Sequence, residues 1–584
     1  MEKNIFSIYK MDWDKLKRKL KVQNEEPSVN DYYEALMKRL SDNAKEKSGE
    51  YFNEIEGSEF KGVVYRTMVP PRWKKLIENM STSIEIEGNK KNISWLVNTN
   101  VSYILLHMCN GQIYAVTGGY GHYLIRDYVE YNWGLYLITK FVRKDDAIIR
   151  ELKENYLFGN TSMINKANRN NTNFVVEKEI SAIYSEIFIE LDNDGIAKLG
   201  ISPDAKNKKK KTGVQFKDSI YIRKSISLPE LKIMIQQINE LESQVDNFSL
   251  SYFVPVKKCE MTSAPLKHQL IENLINRQYD TIQLIGDDYI NYCVTSDEYT
   301  LIDDNENEFY NSEDMITIES VFDILESKEI KITKNFLERF LMSWKICTKI
   351  KDGGYCISPI RIYDAIQGFV EEQSSKMPYY IFQGQWYSMD KKYEEYLEEE
   401  FVDLFKKWDN ESKELKVKFG LLKGDKNEEA YNESFYEEPN MIVAHTALVS
   451  NYEIADIFFW DEENLYIMCN KDRFNAGGSR DLMNQIRASS IYFQTQLRAE
   501  NRVEFVEKLY GSIKKKYDTK GKKLHTSQEE FLNVLSKKKF FYVAGYLKGY
   551  RENSNSPYAK CLTIDFNKEM TEKGMHCLVM GLDE

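Results

Sequence analysis

The fold of the C-terminal third is decided by residues 452–485, which read YEIADIFFWDEENLYIMCNKDRFNAGGSRDLMNQ. The apolar run 452–460 predicts a strand, the acidic residues 461–464 predict a tight turn, and 465–470 predict the returning strand. A loop with glycines follows at 475–479, and the pattern then predicts a helix from Arg480 that carries Gln485. Because the turn is short, we expect the two strands to be antiparallel neighbours.

Strand parity relates two ionisable side chains of this stretch. Side chains alternate along a strand, so Asp456 shares a face with Phe458, and Lys471 shares a face with Cys469. We therefore expect Asp456 and Lys471 to lie on the same face of adjacent strands.

The order of these residues, an acid on one strand, a lysine ending the next and a glutamine on the following helix, resembles the core of the PD-(D/E)xK nucleases. The resemblance implies catalytic roles for Asp456, Lys471, Glu453 and Gln485. It also implies Mg²⁺ as cofactor, with Asp456 as a ligand. Glu463 in the turn is the second predicted metal ligand, as an acid that can compensate for Cys469 at the position where the pattern has an acid. In such sites the cation stabilises charge that develops on the phosphate and lowers the pKa of a bound water.

Cys469 departs from the nuclease pattern, which usually has Asp or Glu two residues before the lysine. A thiol is a poor ligand for a hard cation, which prefers oxygen. Two other interpretations therefore stay open. The domain can be a degenerate nuclease fold that binds nucleic acid, or the segment can be an ordinary hairpin with a surface lysine.

Basic residues are concentrated in the C-terminal third, although the whole chain has a formal net charge of −11. Proteins that coat nucleic acid without specificity are usually basic overall, so this chain needs a local basic patch for such contacts. The residues predicted to bind nucleic acid are Arg473, Arg480, Arg487, Lys514, Lys515 and Lys516.

The whole chain of 584 residues predicts a multidomain α+β protein, with a nuclease-like mixed sheet flanked by helices in the C-terminal third. We expect an N-terminal α+β domain over 1–245, a middle acidic domain over 246–375 and a nuclease-like α/β domain over 376–584. Asn110-Gly111 predicts a tight hairpin turn, and Gly384 marks another. Helices are predicted over 31–45, 228–245 and 390–408, and Pro70-Pro71-Arg72-Trp73 predicts a turn that opens a helix.

Two further segments have both a functional and a structural interpretation. The glycines of Gly118-Gly119-Tyr120-Gly121 can cradle a phosphate on backbone amides, or can simply make a tight strand-to-helix turn. In either case we expect Gly119 or Gly121 to have a positive φ. The lysine-rich run 206–211 can bind phosphates or be a solvated connection.

Several short motifs in the same order resemble an uncharacterised bacterial family called sporadically distributed, which is often found among phage-defence genes. They are Pro71-Arg72-Trp73, the run 114–121 followed by Trp133-Gly134-Leu135, the run 384–387, and Glu453-Ile454-Ala455-Asp456 with Lys471. The resemblance implies a bacterial defence role.

Taken together, these patterns predict an antiphage defence protein whose nuclease-like domain binds or cleaves nucleic acid, and which responds to a phage-encoded trigger or a partner defence protein. The alternative is a non-enzymatic sensor or scaffold that binds a phage protein or nucleic acid. Eight scattered cysteines without a CxxC pair argue against structural zinc and for reduced thiols. With no long apolar run, we expect a cytoplasmic protein that does not enter membranes.

Overall fold

The computed structural model of the chain has an α+β fold with several, mostly antiparallel, sheets. It describes residues 5–22, 24, 26–49, 51–69, 84–86, 89–91, 97–144, 147–156, 163–174, 182–203, 211–224, 226–256, 260–279, 281–285, 291–350, 355–371, 378–424 and 426–583. The chain divides into two compact units, Met1–Asn155 with Met163–Ser251, and Tyr156–Ser162 with Tyr252–Glu584. The division into three domains stays a prediction.

The first unit is built on a large sheet whose strand order, within the described residues, is β2-β3-β6-β7-β1-β12-β11-β10-β8-β9. Its strands are β1 Ile5–Lys10, β2 Phe52–Glu56, β3 Lys61–Val69, β6 Asn98–Cys109, β7 Gln112–Gly118, β8 Ile148–Tyr156, β9 Met163–Thr172, β10 Ala182–Leu191, β11 Thr212–Phe216 and β12 Ser219–Arg223, and β4 Ile84–Ile86 pairs with β5 Asn89–Lys91. Its helices are α1 Trp13–Lys19, α2 Val29–Ser48, α3 His122–Ile125, α4 Trp133–Phe141, α5 Asn193–Lys198 and α6 Leu228–Glu242. One apolar core includes residues of α4 and α6, and another includes residues of α1 and α2.

The glycines of the turn after β7 have structural roles, and the phosphate cradle stays a prediction. Gly119 has φ +60°, which confirms the predicted positive φ, whereas Gly121 has φ −56°. The Tyr120 amide donates to Ser102 Oγ (2.9 Å), and the Gly121 amide donates to Gly118 O (3.3 Å). A Cβ on Gly121 would lie 2.3 Å from Tyr103 O, so the glycine allows the turn to pack against β6.

The second unit begins with two antiparallel sheets, ordered β13-β21-β20-β19-β14 and β16-β15-β17-β18. Their strands are β13 Phe253–Pro255, β14 Ile282–Leu284, β15 Glu298–Ile302, β16 Glu308–Ser312, β17 Lys345–Lys349, β18 Tyr355–Arg361, β19 Ile366–Glu371, β20 Pro378–Phe382 and β21 Gln385–Met389. The accompanying helices are α7 Glu260–Ile275, α8 Ile318–Ser327, α9 Lys334–Ser343 and α10 Ile362–Ala365. Tyr292, Phe322, Phe340 and Ile346 belong to the shared apolar core.

The C-terminal sheet is mixed, with the order β22-β25-β26-β27-β28. The elements of this part are α11 Lys391–Lys418, α12 Glu428–Glu433, β22 Met441–Val443, β23 Leu448–Val449, β24 Tyr452–Glu453, β25 Ile457–Trp460, β26 Asn464–Lys471, α13 Ala476–Arg498, α14 Arg502–Thr519, α15 Gln528–Lys537, β27 Lys539–Tyr546, α16 Pro557–Glu572 and β28 His576–Gly581. The pairs β22–β25 and β25–β26 are antiparallel, whereas β26–β27 and β27–β28 are parallel. Helices cover both faces, because Phe493 of α13 packs on Phe458 (6.2 Å between ring centroids) and Phe419 after α11 packs on Phe459 (4.8 Å).

The run 452–460 is not the single strand that its apolar pattern predicts. Its first two residues form β24, which pairs with β23 in a separate two-stranded hairpin, and its last four form β25 of the main sheet. The chain changes sheets at 454–456, where Asp456 O accepts from both Ala444 N (2.7 Å) and His445 N (3.0 Å). A doubled acceptor of this kind is typical of a bulge, which re-aims the adjacent side chain.

Two predicted segments, Pro70-Pro71-Arg72-Trp73 and the lysine-rich run except Lys211, lie outside the described residues. Among the helices that the structure does describe, none has the length and apolar character required to cross a membrane.

Candidate functional site

Five ionisable side chains meet where β25 begins and β26 ends. Asp456 lies just before β25, and Lys471 is the last residue of β26. Glu453 is in β24, His445 follows β22, and Glu428 is the first residue of α12. The cluster therefore combines three carboxylates, one imidazole and one ammonium from separate elements of the second unit.

Asp456 is the buried centre of this cluster, with its residue 1% exposed. Its backbone N–H donates to Met468 O (2.8 Å), and Ile457 lies opposite Met468, so Asp456 falls opposite Cys469 on the face that includes Lys471. Its Oδ2 accepts from the Asn470 amide (2.7 Å), and its Oδ1 is hydrogen-bonded to His445 Nδ1 (2.6 Å).

Glu453 is held beside Asp456 by two donors. The Thr446 amide donates to its Oε1, and Gln485 Nε2 of α13 donates to its Oε2 (3.3 Å). His445 Nδ1 lies 3.5 Å from the same Oε1. Gln485 thus orients a carboxylate of the cluster.

Glu428 closes the cluster from the side of α12. Its two carboxylate oxygens each lie 3.1 Å from Lys471 Nζ. Potential ligand atoms of Glu428, His445 and Asp456 all lie within 4.8 Å of one another, a spacing that one metal ion can bridge. Carboxylate oxygens suit Mg²⁺ and Mn²⁺, and an imidazole in the set favours Mn²⁺ over Mg²⁺.

Burial and mutual repulsion shape the ionisation of these groups. Burial raises the pKa of both Glu428 and Glu453, and the charge of Asp456 adds to the increase. The hydrogen bond to Asp456 raises the pKa of His445 against the opposing effect of burial. Burial by itself lowers the pKa of Lys471, but the Glu428 carboxylate outweighs it, so the net pKa is raised and the ammonium stays charged.

Glu428 and His445 were not among the residues predicted from the sequence. Glu428 precedes Lys471 by 43 residues, and nothing in its exposed-looking Asn427-Glu428-Glu429 context marks it. His445 is one of only six histidines in the chain, and it lies eleven residues before Asp456. A histidine in a chain with few histidines, eleven residues before a predicted catalytic acid, was the signal that the sequence offered for His445.

Asn470 fixes α12, and with it Glu428, to the end of β26. Its side-chain amide donates to Asn432 Oδ1 of α12 (2.7 Å), and both residues are buried. The partner position on β27 is Gly545, where a Cβ would lie 2.2 Å from Asn470 Oδ1. The glycine therefore leaves the space that this amide occupies.

Glu463 does not belong to the cluster, so the sequence-based assignment of Glu463 as a metal ligand has to be corrected. It lies in the turn before β26, whereas Asp456 lies opposite Cys469 near the other end of that strand. Six residues of extended strand separate the two positions by about 20 Å at roughly 3.3 Å per residue. Glu428 of α12, not Glu463, is the further acid that lies in the cluster.

Cys469 itself is buried, and its Sγ lies 3.9 Å from Ile454 O. Burial raises the pKa of its thiol, and the nearby carboxylates of Asp456 and Glu453 add to the increase. The thiol therefore stays protonated and is not suited to bind a hard cation.

Arg487 is also not a nucleic-acid contact, contrary to the prediction. It is 4% exposed and forms ion pairs with Asp565 (2.7 Å) and Glu569 (2.6 Å) of α16. The other predicted contacts reach the surface to different degrees. Arg473 is exposed, Arg480 is half-buried and paired with Asp481, and α14 presents Lys514 and Lys515 fully and Lys516 partly to solvent.

Comparisons with known proteins give a family but no function. No curated protein and no solved structure matches the chain. One family model matches residues 12–556, which is nearly the whole length and includes every residue of the cluster. The chain therefore belongs to an uncharacterised family, the family of unknown function DUF6119.

Proposed function

We propose that the C-terminal part of this protein is a divalent-cation-dependent phosphodiesterase that cleaves nucleic acid. The observation that carries the proposal is the convergence of Glu428, His445, Glu453, Asp456 and Lys471 at one end of a mixed sheet. Three carboxylates against one ammonium and one imidazole leave excess negative charge in a half-buried place, even with the imidazole protonated. Such an arrangement is costly without a cation, which makes it typical of a functional site.

Glu428, His445 and Asp456 are the residues that would hold the cation, with the imidazole in its neutral form. When bound, the cation would stabilise charge on a phosphate and lower the pKa of a bound water. The carboxylates supply the hard oxygen ligands that the nuclease pattern lacks at Cys469. The cation would also compete with Lys471 for Glu428.

Lys471 is suited to bind a phosphate oxygen rather than to act as a base. Its raised pKa keeps the ammonium charged near neutral pH, and its Nζ is half-buried beside the cluster. In the cation-free protein His445 holds a proton, because its Nδ1 is hydrogen-bonded to Asp456 and its pKa is raised, and it would give up that proton on binding a cation. These two groups therefore offer one fixed positive charge and one exchangeable proton at the same site.

Asp456→Asn is the most informative substitution. An amide keeps an acceptor for the Asn470 N–H but removes the charge, so we expect the fold to persist and cation-dependent cleavage to be lost. The loss should exceed the roughly 10- to 100-fold effect of removing a group that only supports a ligand. Glu463→Gln is the matched control and should cleave like the wild type, because Glu463 lies about 20 Å away along β26.

The assay is cleavage of labelled single-stranded and duplex oligonucleotides by the full chain in Mg²⁺ or Mn²⁺, with EDTA as the blank. Cleavage that survives Asp456→Asn, or cleavage indifferent to EDTA, would show that this cluster is not the catalytic site.

A nucleic-acid sensor without hydrolysis is the second candidate, and Cys469 is the observation that favours it. A buried thiol stands where the nuclease pattern has an acid, and Lys471 is already paired with Glu428. Oligonucleotide binding without turnover in any divalent cation would support this candidate. An antiphage role remains a prediction of the family resemblance, and phage challenge of cells expressing the wild type or Asp456→Asn tests it.

A further inference from the structure

Tyr452 and Tyr492 form a stacked aromatic pair on the two elements, β24 and α13, that also carry Glu453 and Gln485. Their ring centroids are 4.4 Å apart and the rings are inclined by 14°. Tyr492 is backed by Phe505 of α14, whose ring meets it edge-on at 5.8 Å. One face of Tyr452 is therefore used by Tyr492, while Tyr452 as a whole remains 41% exposed.

Both tyrosines are tied to residues of the cluster. Tyr452 immediately precedes Glu453 in β24, so the two side chains leave the strand on opposite faces, and the stack is linked to the cluster through α13. Tyr492 follows Gln485 by two helical turns of α13, about 10 Å along the axis at 1.5 Å per residue. Gln485 and Glu453 are hydrogen-bonded to each other. The stack and the cluster thus share the same two supporting elements.

The hairpin that carries Tyr452 is short and held at both ends. Its two turn residues, Ser450 and Asn451, have φ of 50° and 67°, which is the geometry of a tight two-residue turn. Glu453 at its end accepts from the Thr446 amide and from Gln485. Tyr452 is therefore presented by a rigid element, so a planar ligand that stacks on it loses little freedom in the protein.

The surroundings favour a nucleobase attached to phosphates as the occupant. Leu448, directly opposite Glu453, is 54% exposed and adds apolar surface at the cluster. Lys508, one helical turn beyond Phe505 on α14, has a mostly exposed side chain that forms an ion pair with Glu504 (2.7 Å). An exposed aromatic face together with lysines that can exchange their carboxylate partners for phosphates is the combination that binds single-stranded nucleic acid.

We propose that the outer face of Tyr452, backed by Tyr492, stacks on one unpaired base of a single-stranded nucleic acid whose neighbouring phosphate lies at the acidic cluster, an inference that rests on the proposed function. Only a base that is not already stacked in a duplex can offer a free face to this tyrosine. The site therefore selects single strands, loops or frayed ends, of DNA or RNA.

Binding of a labelled single-stranded oligonucleotide to the full chain tests the inference, by fluorescence anisotropy in Ca²⁺ with the strand checked for integrity on a gel. Base stacking on an aromatic side chain is typically worth a factor of about 5 to 100 in affinity. We expect Tyr452→Leu to weaken binding by that factor and Tyr452→Trp to bind like the wild type. The duplex of the same sequence should bind more weakly than the single strand.

Tyr396→Leu is the matched control. Tyr396 of α11 is 46% exposed and also stacked, on Tyr393 at 5.8 Å, but its helix has no residue in the cluster. We expect its affinity to be unchanged. Equal affinities of Tyr452→Leu and the wild type would overturn the proposal, and so would a Tyr452→Trp variant as weak as Tyr452→Leu.

An abasic scan needs only the wild-type chain, so it decides the matter even where Tyr452→Leu is unstable. A single abasic residue is moved along the strand, and affinity and cleavage positions are recorded. The proposal predicts weaker binding and a gap in cleavage at a fixed offset from the abasic residue, whereas indifference to its position contradicts it. Wild-type binding without cleavage would refute the proposed hydrolysis but not the stacking. Cleavage unaffected by Tyr452→Leu would refute the stacking but not the hydrolysis.

Discussion

Asp456 is part of the fold as well as a candidate ligand. Its Oδ2 accepts a hydrogen bond from the buried backbone N–H of Asn470, and its Oδ1 is hydrogen-bonded to His445 Nδ1. Removing a buried acceptor leaves its donor unsatisfied, at a cost of about 1–3 kcal/mol. From the sequence, an acid kept for a metal is expected to contribute little to stability. The geometry instead predicts that Asp456→Ala lowers the melting temperature, whereas Asp456→Asn preserves it.

His445 gives the metal-free protein a distinctive pH dependence. Its folded-state pKa is raised above the unfolded value of about 6.5. A histidine of this kind contributes stability that is fully present below that value and is lost as the pH rises through the folded pKa. We expect the melting temperature of the wild type to exceed that of His445→Gln by more at pH 6 than at pH 8.5, both measured in EDTA.

The matched comparison uses His525, which is exposed and 3.5 Å from Glu437. The difference in melting temperature between the wild type and His525→Gln should not change comparably between pH 6 and pH 8.5. A His445 difference that grows as the pH rises would mean that the imidazole is buried in its neutral form, which would contradict the assigned hydrogen bond to the Asp456 carboxylate.

Sequence reasoning predicted those members of the candidate site that lie close together in the chain. Asp456, Lys471, Glu453 and Gln485 fall within one strand-turn-strand-helix stretch, and the structure brings them together. Glu428 and His445 come from outside that stretch, because the register of β22 and the position of α12 are set by long-range contacts such as Asn470 with Asn432. No local pattern encodes such contacts.

At the scale of elements, predictions were correct where the local sequence determines the backbone conformation. Asn110-Gly111 forms the predicted two-residue hairpin, with φ of 48° and 77°, and Gln383-Gly384 forms another. Predictions from the local sequence were wrong where tertiary contacts determine where an element begins or ends. The predicted helix at 390–408 continues to Lys418, and the run 452–460 is divided between two sheets.

The contact between β26, β27 and α12 provides a test that touches no candidate ligand. Gly545→Ala would place a Cβ 2.2 Å from Asn470 Oδ1 and 2.6 Å from Met468 Cε. We expect a loss of about 1–3 kcal/mol in unfolding free energy from overpacking. We also expect weaker cation binding. Displacement of the Asn470 side chain breaks its hydrogen bond to Asn432, which no longer holds α12, and with it Glu428, in place. Chemical denaturation and Mn²⁺ titration measure the two effects.

Gly511→Ala is the matched control for that substitution. Gly511 lies within α14, and nothing lies within 4 Å of a Cβ there. Alanine at an unhindered helical position stabilises a protein by roughly 0.5–1 kcal/mol. Gly545→Ala with full stability and unchanged Mn²⁺ affinity would show that Asn470 does not position α12.

At the scale of the whole molecule, composition and periodicity were enough to predict the α+β class. The order of the strands was beyond them, because β1 pairs with β7 and β12, which lie more than a hundred residues further along the chain. The net charge of −11 also has a consequence for function. An acidic chain repels a polyanion, so binding of nucleic acid should depend on a divalent cation at the cluster as well as on local lysines.

Direct measurement of Mn²⁺ binding by electron paramagnetic resonance tests the central claim, that the Glu428–His445–Asp456 cluster is a cation site. The full chain is titrated with Mn²⁺ as wild type, Glu428→Gln and Glu429→Gln. Glu429 neighbours Glu428 but is exposed and lies 3.5 Å from Lys520 instead. We predict one Mn²⁺ site in the wild type, retained in Glu429→Gln and weakened at least about tenfold in Glu428→Gln. A wild type that binds no Mn²⁺, or two variants that bind it equally well, would contradict the account.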